Sequence, residues 1–154
     1  ILESGLSSNW HVEVFASDIS QRVLQIARKG IYPKSSFRAT EESYIKKYFE
    51  QVDGKFRIKD NVKNLVSFGH HNLMDTSKIT LLKNMDVIFC RNVIIYFDLE
   101  SKKKVIQNFY DKLNNGGYLL LGHAESLMNV SPLFELCHLK NDLVYRKPEK
   151  GTKE

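Results

Sequence analysis

The segment VIFCRNVIIYFD, residues 87–98, decides the fold class because it joins an apolar strand directly to a polar loop. Residues 87–89, Val-Ile-Phe, are typical of a strand that is covered on both faces. Arg91 and Asn92 then interrupt the apolar run before it resumes. A guanidinium at this place is costly unless it is paired or lies in a solvated cleft. The segment therefore predicts a functional loop at the end of a buried strand.

The composition is that of one soluble domain. The chain has 154 residues, of which 42% are hydrophobic and 11% aromatic, enough to bury one core. No apolar run approaches the roughly 20 residues that span a bilayer, and ILESGLSSNW (1–10) does not resemble a secretory signal. Cys90 and Cys137 match no metal or redox spacing, so no metal site is predicted. We expect a cytoplasmic protein without membrane insertion.

The net charge favours an acidic partner. The chain carries 23 basic and 18 acidic residues, which gives a net charge of +5. Residues 102–104, three consecutive lysines, supply part of this excess, and such a run is more often a solvated helix face than a binding patch. We therefore predict no nucleic-acid partner.

Apolar strands alternate with helical segments along most of the chain. Strands are expected in 11–19, 64–73, 85–90 and 118–126, and helices in 20–30, 43–51 and 99–113. A hairpin with an Asp-Gly turn is expected near 52–62, and two short strands within 134–148. Ser20 and Asp98 are predicted helix N-caps, and Gly30 a helix terminator. This order predicts an α/β fold, a parallel sheet covered by helices.

The domain limits follow from the same pattern. We predict one domain over 1–148, with an inserted β-hairpin subdomain at about 49–63. The last residues, 149–154, are predicted to form a disordered tail.

Four polar positions lie just beyond the ends of predicted strands. They are Asp18, Asn72, the pair Arg91-Asn92, and His123. In parallel sheets, ligands bind beyond the carboxyl ends of the strands. The four positions together predict a ligand crevice along one rim.

The two positions nearest the amino terminus suit a nucleoside. The Asp18 carboxylate, between a strand and a helix, can accept hydrogen bonds from both hydroxyls of a ribose. An Asx turn or a helix cap is an equally open interpretation. Asn72 and Leu73 could offer an amide to an adenine edge and an aliphatic surface to its face. Taken alone, however, an ordinary loop asparagine is favoured.

The loop after the third parallel strand suits a carboxylate. The forked guanidinium of Arg91 matches the two oxygens of a carboxylate. Tyr96 could be catalytic, or could be half-buried core with its hydroxyl facing outward. His123 could be a base, although a single histidine beside a glycine is more often structural.

Four sequence blocks strongly resemble the CheR-type chemotaxis receptor methyltransferases. The blocks are ASDISQRVLQIARKGIY (16–32), VSFGHHNL (66–73), FCRNVIIYFD (89–98) and GHAESL (122–127). They occur in the family order and the resemblance covers about Val12 to Arg146. Members of this family transfer methyl groups from S-adenosyl-L-methionine to glutamate side chains of chemoreceptors, and release S-adenosyl-L-homocysteine.

The resemblance implies a role for each matched residue. Five residues are implied to contact the cofactor: Asp18, Asn72, Leu73, Arg91 and Asn92. Among them, Asp18 corresponds to the ribose-binding aspartate. Arg91 and Tyr96 correspond to the catalytic positions that orient the substrate carboxylate. Residues 123–126 match a block that lines the site.

The implied fold is a Rossmann-like methyltransferase sheet with a small antiparallel hairpin insertion. The glycine-rich cofactor loop of the family, and the central strand before it, have no counterpart in this chain. We therefore expect part of a longer protein, with weaker cofactor binding than the whole. The gap is expected to close in one of three ways: pairing of the strands that end at Asp18 and Cys90, exchange of elements within a homo-oligomer, or a retained N-terminal piece.

The expected function is that of an S-adenosyl-L-methionine-dependent protein-glutamate O-methyltransferase, with the cytoplasmic helices of chemoreceptors as substrate. A glutamate carboxylate has a pKa of about 4.3, so it is ionised and needs no general base. The alternative is a noncatalytic methyltransferase-like binding module in a signalling protein. A methyltransferase for nucleic acids or small molecules is disfavoured, because CRNVIIYFD lacks the Asn/Asp-Pro-Pro-aromatic loop of amino-methylating enzymes.

Overall fold

The structure is a computed structural model that describes residues 1–6, 9–140 and 142–149. The chain divides into two compact units, Ile1–Asn72 and Leu73–Glu154. The elements of the first unit are β1 (Val14–Asp18), α1 (Gln21–Lys29), β2 (Ile31–Pro33), a 3₁₀ turn (Lys34–Phe37), α2 (Glu42–Tyr48), β3 (Phe49–Val52), β4 (Lys55–Ile58), α3 (Asp60–Lys63) and β5 (Val66–His70). Those of the second are α4 (Thr76–Ile79), β6 (Met85–Cys90), a 3₁₀ turn (Ile94–Tyr96), α5 (Leu99–Lys112), β7 (Leu113–Leu121), β8 (Glu135–His138) and β9 (Leu143–Arg146).

Strands β1 and β5 form a parallel pair in the first unit. Their register runs from Val14 opposite Val66 to Asp18 opposite His70. The carboxyl ends of both strands are therefore level, as the sequence predicted for a parallel sheet.

Helix α1 follows β1 in sequence and has both predicted caps. The Ser20 hydroxyl oxygen accepts a hydrogen bond from the Val23 amide at 3.3 Å. Gly30 ends the helix with a φ of 68°, and a β-carbon there would lie 2.6 Å from the Ile58 side chain. Only glycine fits this left-handed and crowded position without strain.

The predicted Asp-Gly hairpin is present as β3 and β4. Asp53 and Gly54 have φ values of 49° and 72°, as the tight turn of a two-residue hairpin requires. Strand β2 pairs with the other edge of β4, which gives the sheet order β2-β4-β3. Strand β2 was not predicted, because three residues that end in proline carry too short a pattern. The wider subdomain at 49–63 stays a prediction.

The second unit contains a four-stranded sheet with the order β6-β7-β9-β8. Strands β6 and β7 are parallel, and β9 pairs antiparallel with β7 and with β8. Helix α5 begins at Asp98, whose carboxylate accepts from the Ser101 amide at 2.8 Å, as predicted. The helix packs its apolar face on the sheet, and the buried cluster comprises Ile88, Cys90, Ile94, Val105, Ile106, Phe109, Leu113, Leu119, Leu121 and Leu127.

The expectation that both faces of the third parallel strand are covered was wrong. Ile88 and Cys90 of β6 are buried against α5, whereas Val87 is 45% exposed and Phe89 is 70% exposed. Successive side chains of a strand point to opposite faces, and within the described part of the second unit α5 covers one of them.

The structure describes only the first residue of the predicted tail. Of the predicted tail 149–154, residues 150–154 lie outside the described residues, and Glu149 forms an ion pair with Arg146. Among the described helices, none combines the length and apolar character needed to cross a bilayer.

Candidate functional site

Asp18 is the last residue of β1 and is half-buried. Its Oδ1 atom accepts a hydrogen bond from the Ser20 amide at 2.7 Å, which is the Asx turn that the sequence left open. The Asp18 carbonyl also accepts from the His71 amide at 3.1 Å. The turn uses Oδ1 and fixes the carboxylate, so the other oxygen, Oδ2, is held in a defined direction.

Asn72 and Leu73 follow the end of β5. Asn72 is exposed two residues beyond His70, the partner of Asp18 in the register. Asp18 and the segment 70–72 are thus neighbours at one edge of the first unit. Leu73, the first residue of the second unit, is partly buried and packs against the core cluster of that unit.

The loop 91–96 follows β6 in the second unit. Arg91 is exposed, and within the described part of that unit no ion pair or hydrogen bond of its guanidinium is found. Tyr96 is 80% exposed, so the interpretation of Tyr96 as half-buried core was wrong. Ile94, between them, is 1% exposed and anchors the loop in the core. The loop therefore presents a cation and a phenol to solvent from a fixed apolar base.

Asn92 and Gly122 form a crowded contact between the loops that follow β6 and β7. Asn92 has a φ of 59°, a left-handed conformation that asparagine tolerates better than most residues. A β-carbon at Gly122 would lie 2.4 Å from Asn92 Oδ1 and 3.0 Å from the Asn92 amide nitrogen. The close approach of the two loops therefore requires glycine at position 122.

Glu125 joins the two loops of the second unit, and the sequence analysis assigned it no role of its own beyond the block 123–126. Its carboxylate accepts four backbone hydrogen bonds, from Gly122 at 2.6 Å, Asn92 at 2.7 Å, Val93 at 2.9 Å and Ile95 at 3.3 Å. Burial alone raises the pKa of the Glu125 carboxyl, but the four N–H donors outweigh burial and hold this pKa below its ordinary value. Glu125 is therefore ionised and joins two strand-end loops.

A signal for Glu125 was present but weak. The residue lies in the block GHAES directly after a predicted strand, where an acidic side chain can receive backbone amides. Its partners at 92–95 are about thirty residues earlier in the sequence, and no local motif connects the two segments.

Cys90, the last residue of β6, directly precedes this loop and has an unreactive thiol. Burial, together with the negative charge of Glu125, raises the pKa of the Cys90 thiol to about 12. The thiol therefore stays protonated and acts as a small apolar core side chain.

His123 offers no catalytic geometry in the second unit. Its side chain is 78% exposed, and its Nδ1 atom lies 4.0 Å from Asp142 Oδ1. This separation is too long for a hydrogen bond, so Asp142 does not orient the ring as a base. The catalytic and the structural interpretation of His123 both stay predictions.

The structure thus brings the predicted residues together in two pairs of loops. The first unit joins Asp18 to segment 70–72, and the second joins loop 91–96 to segment 122–125. The two units are described separately, and the convergence of all four positions on one rim stays a prediction.

Comparison with known proteins identifies the class and then the family. TrmN from Thermus thermophilus has a similar structure, with a TM-score of 0.52 over 94% of this chain and 38% of TrmN. At 14% identity, this likeness shows a shared fold alone. The family model described as "CheR methyltransferase, SAM binding domain" matches residues 3–143, and the chain belongs to this family. The expected fold class, an α/β Rossmann-like methyltransferase domain, is thereby confirmed.

Curated relatives carry matching names. Chemotaxis protein methyltransferase 2 of Vibrio cholerae is 38% identical over 93% of this chain and 50% of that protein. The chemotaxis protein methyltransferase of Vibrio anguillarum is 42% identical over 88% of this chain and 49% of its own length. The Salmonella typhimurium protein of that name is 34% identical over 80% and 44%. The chain spans about half the length of the curated relatives it matches.

Proposed function

We propose that the protein containing this chain is an S-adenosyl-L-methionine-dependent protein-glutamate O-methyltransferase that acts on chemoreceptors. One observation carries the proposal: loop 91–96 exposes the Arg91 guanidinium and the Tyr96 phenol from a backbone that Glu125 and the buried Ile94 hold. The family match supports the same assignment.

The residues of this chain fit the proposed cofactor. Asp18 is a half-buried carboxylate at a strand end, and its Oδ2 would accept hydrogen bonds from the ribose hydroxyls. Asn72 and Leu73 would contact the adenine, and Arg91 and Asn92 would border the reactive end. When bound, S-adenosyl-L-methionine supplies an electrophilic methyl group on a sulfonium sulfur, and S-adenosyl-L-homocysteine remains after transfer.

The substrate side of the site needs orientation rather than proton transfer. A glutamate carboxylate with a pKa of about 4.3 is already ionised at neutral pH. Arg91 would bind one carboxylate oxygen, and the Tyr96 hydroxyl would donate to the other and so direct its lone pair. Holding a reactant in the productive geometry can contribute several kcal/mol to lowering a barrier. A general base is therefore not required for this step.

The proposed partner is an acidic helical segment of a chemoreceptor on the cytoplasmic side. The net charge of +5 favours association with such a segment. The names of the curated relatives, chemotaxis protein methyltransferase, support a chemotaxis substrate. Nucleic acid is not proposed as a partner, and the proposed location is the cytoplasm.

The proposal is tested by following a labelled methyl group. The protein from its complete reading frame is mixed with methyl-radiolabelled S-adenosyl-L-methionine and a receptor segment that bears glutamates. We expect label in the receptor segment that alkali releases as volatile methanol, because glutamate methyl esters hydrolyse in base. A matched receptor segment with glutamine at those positions should stay unlabelled.

Two results would contradict this proposal. Label that resists alkali would indicate methylation of nitrogen or of another stable acceptor. Cofactor binding without any transfer would favour the alternative, a noncatalytic methyltransferase-like binding module.

A further inference from the structure

We propose that Glu125 is the positioning residue of the methyl-transfer site. Its carboxylate fixes the backbone on both sides of Ile94 and thereby sets the directions of Arg91 and Tyr96. The inference rests on the proposed function and extends it to a residue in the loop after β7.

The geometry makes this carboxylate the hydrogen-bonding centre of the two loops. Oε2 accepts from the amides of Gly122 and Asn92, and Oε1 accepts from those of Val93 and Ile95. Three of the four donors belong to the segment that separates Arg91 from Tyr96. Arg91 directly precedes the first of these donors, and Tyr96 directly follows the last.

The backbone amides make the carboxylate unsuitable for direct chemistry. With four N–H donors aimed at it, both oxygens of Glu125 are engaged, so they are not available to accept a proton from a substrate. An uncompensated negative charge near the site would repel a substrate carboxylate. The converging N–H dipoles offset that charge, so Glu125 can serve as an anchor without opposing substrate binding.

The same arrangement explains why an acid is required instead of an amide. A glutamine at position 125 keeps one acceptor oxygen and replaces the other with an NH₂ group, which is a donor. Two of the four backbone amides would then face a donor and lose their acceptor. Glu125→Gln therefore keeps the size of the side chain and removes half of the anchoring.

The side chains that Glu125 would position are not themselves anchored in the described part of the second unit. The Arg91 guanidinium makes no ion pair there, and Tyr96 is 80% exposed. Buried Cys90 and partly buried Phe97 hold the two ends of the loop in the core, and Ile94 holds its centre. The Tyr96 amide also donates to the Val93 carbonyl at 3.3 Å. Between these points Glu125 fixes the amides at 92, 93 and 95, and the directions of Arg91 and Tyr96 depend also on them.

A double-mutant cycle tests whether Glu125 acts through Arg91. Methyl transfer is measured for the protein from its complete reading frame and for Glu125→Gln, Arg91→Ala and the double variant. We expect Glu125→Gln to lower kcat/KM by about tenfold, since one or two charge-assisted hydrogen bonds are lost. In the Arg91→Ala background, the same change should cost clearly less than in the unaltered protein, because one of the two residues that it positions is absent.

Matched controls separate positioning from folding. Glu100→Gln removes a carboxylate from the exposed first turn of α5 in the same unit and should change neither activity nor the cycle. Hydrogen exchange of the amides of Asn92, Val93, Ile95 and Gly122 should accelerate in Glu125→Gln and stay unchanged in Glu100→Gln. This exchange readout does not depend on activity.

The outcomes are distinguishable. Equal losses from Glu125→Gln with and without Arg91 would overturn the inference, because Glu125 would then not act through Arg91. Unchanged amide exchange at 92–95 would overturn it even if the protein transfers no methyl group. Faster exchange together with full activity in Glu125→Gln would also overturn it. Absence of transfer in the unaltered protein would instead contradict the proposed function.

Discussion

In each unit, hydrogen bonds hold the loops that follow the strands, but the bonded residues are close in sequence in one unit and distant in the other. In the first unit, the Asp18 carboxylate accepts from the Ser20 amide, two residues later. In the second, loop 91–96 is held by Glu125, which lies 33 residues after Asn92. The first arrangement is local and is built into the strand-helix connection. The second relies on a carboxylate that is distant in the sequence, so we expect it to be the more sensitive to substitution.

The largest expected effect comes from adding one methyl group at the crowded contact in the second unit. In Gly122→Ala, the β-carbon would lie 2.7 Å from Glu125 Oε2 and 2.4 Å from Asn92 Oδ1, so the carboxylate must move. Loss of the two hydrogen bonds to Oε2 should lower kcat/KM for methyl transfer by about a hundredfold. Asn115→Gln, which adds one methylene group at an exposed position near the opposite end of β7, is the matched control. Activity within about threefold of the unaltered protein would show that the contact is not required.

A smaller effect is expected from removing the exposed cation. Arg91→Ala should lower methyl transfer by at least about tenfold, because the substrate carboxylate loses a charge-assisted hydrogen-bond partner. The melting temperature should not change, since the side chain is exposed and unpaired within the described part of its unit. Lys104→Ala removes the same charge from the exposed surface of α5 and is the control for general attraction. If both variants lose activity equally, Arg91 contributes only net charge.

The phenol of the same loop should affect transfer more than cofactor binding. Tyr96→Phe removes only the hydroxyl group. Because Tyr96 is 80% exposed, the change should hardly affect packing. We expect a lower kcat with little change in the affinity for S-adenosyl-L-homocysteine, both measurable on one preparation. A weaker affinity with unchanged kcat would place Tyr96 at the cofactor instead of the substrate.

The smallest expected effect concerns acid stability. The folded-state pKa of Glu125 is lower than its ordinary value of 4.5, so the stabilisation from ionised Glu125 is present above that pH. It is lost as the pH falls through the folded-state pKa. Below pH 4.5, the free energy of unfolding should therefore fall less steeply with decreasing pH in Glu125→Gln than in the unaltered protein. Chemical unfolding followed by circular dichroism measures this free energy at each pH. If the stabilities of the two proteins fall in parallel with pH, Glu125 does not gain its hydrogen bonds on folding.

The parts of the fold that depend on neighbouring residues were predictable from the sequence. The caps at Ser20 and Asp98, the glycine that ends α1, and the Asp-Gly hairpin are all determined within about four residues. The alternation of apolar strands with amphipathic helices also predicted parallel pairing, which is present between β1 and β5 and between β6 and β7.

The remaining features depend on contacts between distant segments. The role of Glu125 follows from the parallel pairing of β6 with β7, which brings segment 122–125 beside loop 91–96. The exposure of Phe89 depends on which face of the sheet α5 covers, and strand β2 is recognised only through its pairing with β4. None of these can be read from spacing alone, because periodicity does not report which segments meet.

The central claim is that this part of the protein binds an S-adenosyl cofactor through Asp18. The direct measurement is titration calorimetry of S-adenosyl-L-homocysteine with the unaltered protein, Asp18→Asn and Asp18→Ala. Asparagine keeps an oxygen for the Asx turn with Ser20 but removes the charge, whereas alanine removes both. We predict that both variants bind at least about tenfold more weakly, because the charge-assisted hydrogen bonds to ribose are lost. An unchanged dissociation constant in Asp18→Asn would show that the carboxylate serves only the turn, and would contradict the claim.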